Sequence, residues 1–245
     1  FFSPFPLLRG LGSMVWSTSE NAALIAIPFF VLLGEILVRS GIAARTYSAL
    51  DRWVSWMPGG LVHANIATAT MFSATSGSSV ATAATVATVA MPQAEKLGYD
   101  PKLFSGAIAA GGTLGIMIPP SVILVIYAIL TEQNIAKLFA AAFIPGILAA
   151  VGYMITISIY VRVVKSSGRV LDRMPYRERM RAVLPVWPVL LVFIAVIGGI
   201  YTGKFTPTEA AAIGAFGTGL IAFFNRSLSL AALRGAILAT AQSTA

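Results

Sequence analysis

Hydroxyl side chains crowd the stretch Phe72-Ser73-Ala74-Thr75-Ser76-Gly77-Ser78-Ser79-Val80, which lies inside a run from Trp53 to Ala94 that contains no Asp, Glu, Lys or Arg. Ser, Thr and Gly favour caps and breaks over helix interiors, so Ser76 to Ser79 marks the point where the chain leaves helical geometry. Unwound backbone at membrane depth must be buried or line a cavity, because exposed amides and carbonyls in lipid cost several kcal/mol each. Hydroxyls together with freed carbonyls make a hard-oxygen site for a cation, and a half-helix starting there presents amides to an anion. The competing reading is close helix packing, in which small residues let backbones approach and each hydroxyl bonds a carbonyl of its own helix. A single hydroxyl reads that second way; the cluster at a break reads as a site.

A second break falls in Ala110-Gly111-Gly112-Thr113-Leu114-Gly115-Ile116-Met117-Ile118-Pro119-Pro120-Ser121, midway along the charge-free span Leu103 to Thr131. Two prolines remove two amide donors and disfavour helical geometry before them, and three glycines lower the cost of unusual dihedrals. A proline kink with no ligand role is common in membrane helices. A re-entrant tip followed by a broken span, however, is the pattern of a transporter's midplane site.

The elements that position these breaks are apolar helices. The chain has 245 residues, of which 57% are hydrophobic and only 11% charged, against about 25% charged in soluble domains. Charge-free spans also run from Leu138 to Val161, Ala182 to Gly203 and Ala210 to Asn225, and Ala22 to Val38 is interrupted only by Glu35. Each approaches the roughly 20 apolar residues that cross a bilayer, so the chain reads as an all-α polytopic membrane protein. The net charge of +8 sits in the connections, without aromatic interleaving or zinc-ligand spacing, and marks topology rather than nucleic-acid binding. Absence of cysteine excludes disulfides and thiol chemistry. The chain begins on Phe1 rather than Met and reads as part of a longer protein.

The basic segment Arg162 to Arg181 is placed in the cytoplasm by the positive-inside rule. Counting spans backward, Arg39, Arg45 and Arg52 share that side only if Ala64 to Met91 enters and turns back. This re-entrant reading predicts two half-helices of roughly 12 residues each. Glu35 reads as an intramembrane acid or as the partner of Arg39 one turn on. Thr206, Pro207 and Glu209 read as a capped helix start. His63, the only histidine, cannot build a metal site alone and is expected at a membrane interface. Trp16, Trp53 and Trp56 read as interfacial anchors.

Ser76-Gly77-Ser78-Ser79, Lys96-Leu97-Gly98-Tyr99-Asp100-Pro101, Gly112-Thr113-Leu114-Gly115 with Pro119-Pro120-Ser121, and Phe205-Thr206-Pro207-Thr208-Glu209-Ala210-Ala211-Ala212, in this order and spacing, resemble the large membrane subunit of tripartite ATP-independent periplasmic (TRAP) transporters. The resemblance implies an elevator-type fold holding the first half of an inverted repeat. It implies a sodium-driven importer in the bacterial inner membrane, receiving a small carboxylate from a periplasmic binding protein and working with a small four-helix membrane subunit. Carried onto this sequence, it nominates Ser76, Gly77, Ser78, Ser79, Gly112, Thr113 and Gly115 for Na⁺, and Ser78, Thr113, Pro119, Pro120 and Ser121 for substrate. It divides the chain into a scaffold helix and interfacial helix (1–62), a transport segment (63–137), and further scaffold helices with the basic loop 162–181 and the start of a second repeat (138–245).

No phosphate-binding Gly-x-x-x-x-Gly-Lys loop is present, so an ion gradient or a partner must supply the energy. Two other functions remain to be weighed. A channel or membrane scaffold would line a continuous pore with the hydroxyl-rich hairpin. An intramembrane serine hydrolase would use Ser78 as nucleophile and His63 as base, which requires the two within hydrogen-bond reach.

Overall fold

The structure is a computed structural model describing residues 10–13, 15, 16, 19–54, 56–164 and 175–244. The described residues are helical throughout, without a strand. A 3₁₀ turn, Ala22–Ile25, capped by the Asn21 side chain, leads into α1 (Ala26–Arg39). Next come α2 (Ile42–Val54), α3 (Leu61–Ser76), α4 (Ser79–Leu97), α5 (Pro101–Met117), α6 (Val122–Leu130) and α7 (Ile135–Val164). The last helices are α8 (Tyr176–Val183), α9 (Trp187–Tyr201), α10 (Pro207–Phe224) and α11 (Leu230–Thr244). Part of the basic loop's charge (Lys165, Arg169, Asp172, Arg173) lies outside the described residues.

Among the described residues, three helical stretches are long and apolar enough to cross a membrane, Ala22–Arg39, Ile135–Val164 and Pro207–Phe224. Two bent pairs raise this to as many as five: α5 with α6, bent by 43°, and α8 with α9, bent by 55°. This is a multi-pass membrane protein. The span expected over 182–203 is therefore divided, because Pro185 and Pro188 interrupt the amide ladder around the 3₁₀ turn Leu184–Val186.

α3 and α4 form a hairpin. Gly77, in the left-handed conformation at φ +60°, ends α3, and Ser78, extended, caps α4 by accepting from the Ala81 amide. A left-handed residue costs an L side chain about 1–2 kcal/mol, which glycine avoids. At the other end the Leu61 amide donates to the Tyr99 hydroxyl at 3.2 Å, so the start of α3 and the exit from α4 lie together. The chain returns to the end from which it set out. The half-helices, at 16 and 19 residues, exceed the expected 12 and are about 24 and 28 Å long. Glu95 and Lys96, expected in a loop, instead form the last turn of α4, before Gly98 ends it in the left-handed conformation.

Two buried clusters hold these helices. One joins α3, α4 and α5 with Ala150 and Ile157 of α7 and Tyr47 of α2. The other joins α1, α9 and α10 with Phe72, Val125 of α6 and Phe139, whose ring lies 6.5 Å from that of Phe30. The amphipathic α2 is clamped to α8 and the 3₁₀ turn after it through Ala49, Ala182 and Val186 and through the Trp53 indole, which donates to the Arg179 carbonyl. Arg45 and Arg52 thus lie beside Arg181, on the same end of the fold. That is the arrangement required if the serine-rich segment turns back rather than crossing. Trp53, expected as a lipid anchor, is occupied by this protein contact; Trp16 and Trp56 are exposed.

Candidate functional site

The hairpin tip is seated in the break between α5 and α6. The Val122 amide, first of α6, donates to the Gly77 carbonyl at 3.3 Å. Pro119 and Pro120 carry no amide, so α5 ends at Met117 and α6 restarts from Ser121, whose side chain accepts from the Leu124 amide. The discontinuity anticipated from the sequence is therefore present, as is the break at Gly77-Ser78.

Close approach comes from small residues on three helices. A Cβ on Gly115 would stand 2.5 Å from the Ser78 carbonyl oxygen and 2.8 Å from Thr82 Oγ1, and one on Gly112 would meet Ala83 and the Ser79 carbonyl. On the other side, Gly34 of α1 leaves room for the Ser76 backbone. The tip is thus gripped between α1 and α5. Beside it opens a cavity of about 310 Å³, lined by Ser76 to Ala81 with Gly34, Glu35, Ile116, Val122 and Ser243 among others.

The tip's polar groups fall into two kinds. Ser73 and Thr75 donate to carbonyls of α3, as the packing reading expects, and the Ser76 hydroxyl lies 2.6 Å from that of Thr82. Among the described residues, the carbonyls of Ala74, Thr75 and Ser76 and the amides of Ser79 and Val80 have no hydrogen-bond partner. The last carbonyls of a helix carry partial negative charge and the first amides partial positive charge. The tip therefore offers oxygens to a cation and, a few residues on, donors to an anion.

Ser76, Gly77, Ser78, Ser79, Gly112 and Gly115 converge here, with Pro120 and Val122 against Gly77 and Ser121 in the chain between them. Pro119 adjoins them in the buried connection. Thr113 stands apart: it is exposed on the α7 side of α5, where its hydroxyl donates to the Ala110 carbonyl and meets the Tyr153 hydroxyl at 2.9 Å. Sequence reasoning missed Thr82 and Gly34. Thr82 lay in an Ala/Thr-rich run without distinguishing spacing, and Gly34 was one small residue in an apolar helix.

Glu35 pairs with Arg39 at 3.0 Å, one turn on, and also reaches the cavity rim. Thr206 and Glu209 form the reciprocal cap expected of them. His63 is wholly buried at the start of α3; its Nε2 donates to the Pro58 carbonyl at 2.8 Å and lies 3.2 Å from Ser158 Oγ. It stands fifteen positions before Ser78, at the opposite end of α3 and about 20 Å away along the helix. Ser78 and His63 are therefore out of hydrogen-bond reach, and the hydrolase that would pair them is excluded.

The family described as the tripartite ATP-independent periplasmic transporter, DctM component, matches residues 1–245. The chain belongs to this TRAP family. It is 38% identical over 223 residues to a C4-dicarboxylate TRAP transporter large permease protein of Pseudomonas aeruginosa, covering 91% of this chain and 52% of the relative. A sialic acid TRAP transporter large permease protein of Vibrio cholerae is 35% identical, covering 79% of this chain and 45% of the relative. An isethionate TRAP transporter permease protein of Oleidesulfovibrio alaskensis is also 35% identical, with 96% and 37% covered. The chain thus spans about half or less of these relatives. They are TRAP transport permeases, not enzymes.

Proposed function

We propose that the chain forms part of the large subunit of a sodium-coupled importer in the bacterial inner membrane. Its substrate is a small carboxylate delivered by a periplasmic binding protein, and a small four-helix subunit is its membrane partner. Alternating access is of the elevator type, with the hairpin and the broken helix moving against scaffold helices. The observation that carries this reading is the hydrogen bond from the Val122 amide to the Gly77 carbonyl, which puts two interrupted helices tip to break. Paired discontinuities of this kind supply a transporter with unwound carbonyls for an ion and helix N-termini for an anion.

In this reading Na⁺ is held by the carbonyls at the end of α3 and the hydroxyls of Ser76, Ser78 and Ser79, with the Gly112 to Gly115 face of α5 as the wall. A carboxylate meets the free amides of Ser79 and Val80 beside the break formed by Pro119, Pro120 and Ser121. Thr113, facing α7, contributes to the α5–α7 contact. The relatives' names span a dicarboxylate, a sialic acid and isethionate, which fits a permease whose selectivity is shared with a separate binding protein.

The test is uptake by the complete transporter in proteoliposomes across a range of Na⁺ concentrations. Ser76→Ala combined with Ser78→Ala should raise the Na⁺ needed for half-maximal uptake severalfold. Uptake by the unmodified transporter that ignores Na⁺ would end the proposal.

A further inference from the structure

We propose a second, unassigned binding site: a groove between α2 and α8 that holds the phosphate headgroup of an anionic glycerophospholipid. The groove, about 320 Å³, is lined by Ala44, Arg45, Ser48, Ala49 and Arg52 of α2 and by Arg181 and Ala182 of α8. Arg45, Ser48 and Arg52 recur at i, i+3 and i+7, one exposed stripe of a helix whose other face, with Ile42, Ala43, Thr46 and Tyr47, is buried. The alanines keep the floor low, so three guanidinium groups and a hydroxyl border one space.

Three like charges around one space repel unless an anion joins them. None of the three arginines makes an ion pair with a described residue; the acids on these helices, Asp51 and Glu178, pair with none of them. Guanidinium forks match phosphate oxygens in a bidentate geometry. The surroundings favour a lipid over a free anion. Exposed Leu184 and Trp187 follow Arg181 on the way into apolar α9, and exposed Trp56 follows Arg52 by one turn. The groove therefore lies where charged chain gives way to apolar chain, the level at which indoles and headgroups meet. Basic pockets beside membrane helices are the setting in which anionic headgroups bind.

The experiment uses the full-length protein in nanodiscs and in detergent, with a fluorescent phosphatidylglycerol as probe and phosphatidylcholine as the neutral comparison. Phosphatidylglycerol should bind in preference, weakening about fivefold for each of Arg45→Gln, Arg52→Gln and Arg181→Gln, while Arg234→Gln on α11 leaves binding unchanged. Arg45→Lys with Arg52→Lys, which keeps the charge but loses the bidentate forks, should bind more tightly than the glutamine variants and less tightly than the unmodified protein. Ala44→Phe, at an exposed position lining the groove, should block the probe without removing charge, which covers the case of glutamine variants that do not fold. Equal binding of the two lipids, or indifference to the arginines and to Ala44→Phe, overturns the proposal. Displacement of the probe by millimolar inorganic phosphate would show a free-anion site and overturn the lipid assignment. None of these residues touches the hairpin tip, so the outcome is independent of sodium dependence.

Discussion

Leu61 and Tyr99, 38 positions apart, join the two ends of the serine-rich hairpin through a 3.2 Å bond from the buried Leu61 amide to the Tyr99 hydroxyl. An amide in the first turn of a helix has no partner within it and takes one from outside. Tyr99→Phe should leave this donor unpaired in a buried setting, costing about 1–3 kcal/mol. The check is the thermal midpoint of the purified protein, which should fall while the Na⁺ dependence of uptake stays unchanged.

Two glycines of α5 separate space from backbone propensity. Gly106→Ala meets no atom within 4 Å and should stabilise by up to about 1 kcal/mol through better helix propensity. Gly115→Ala gains the same propensity but drives a methyl to 2.5 Å from the Ser78 carbonyl oxygen, and overpacking of this kind costs about 1–3 kcal/mol. Its net effect should be destabilising and should displace the tip. Thermal midpoints of the two variants moving in the same direction would contradict the close approach.

The hydroxyl pair Ser76 and Thr82 allows structure and ion binding to be told apart. Thr82→Val removes the 2.6 Å contact but keeps Ser76, so stability should fall by about 1 kcal/mol with the Na⁺ affinity of uptake little altered. Ser76→Ala removes both the contact and a candidate ligand, and should weaken Na⁺ activation as well. Equal Na⁺ responses in the two variants would place Ser76 outside the ion site.

Asp51 sits on α2 with one carboxylate oxygen buried and unpartnered; burial pushes its carboxyl above the usual range, against the pull of Arg52. The folded protein then holds this proton more tightly than the unfolded chain, whose Asp titrates near about 3.9. The favourable contribution is present below that value and is lost as pH rises through the folded one. Asp51→Asn should remove this pH dependence and leave the protein at least as stable at neutral pH, as denaturation midpoints across acid to neutral pH would show.

The two breaks were legible because Pro119-Pro120 and Ser76-Gly77-Ser78-Ser79 announce themselves locally. The half-helix lengths were not, since Glu95 and Lys96 look like loop residues yet complete the last turn of α4. The separation of Thr113 from the tip could have been read from helical period: 111, 112 and 115 share a face from which 113 is turned away. The buried polar contacts were out of reach. Tyr47 with Asn65 and His63 with Ser158 join positions 18 and 95 residues apart, and neither pair leaves a trace in spacing.

Because the Val122 amide is committed to the Gly77 carbonyl while Gly115 abuts Ser78, neither the serine loop nor the short helix after the prolines can shift alone without tearing a bond from its neighbour. Whatever lodges at the tip is coupled mechanically to both pieces. Occupancy should therefore stiffen the loop and the short helix together, and amide exchange at Ser79 and at Val122 should slow in concert when cargo is present.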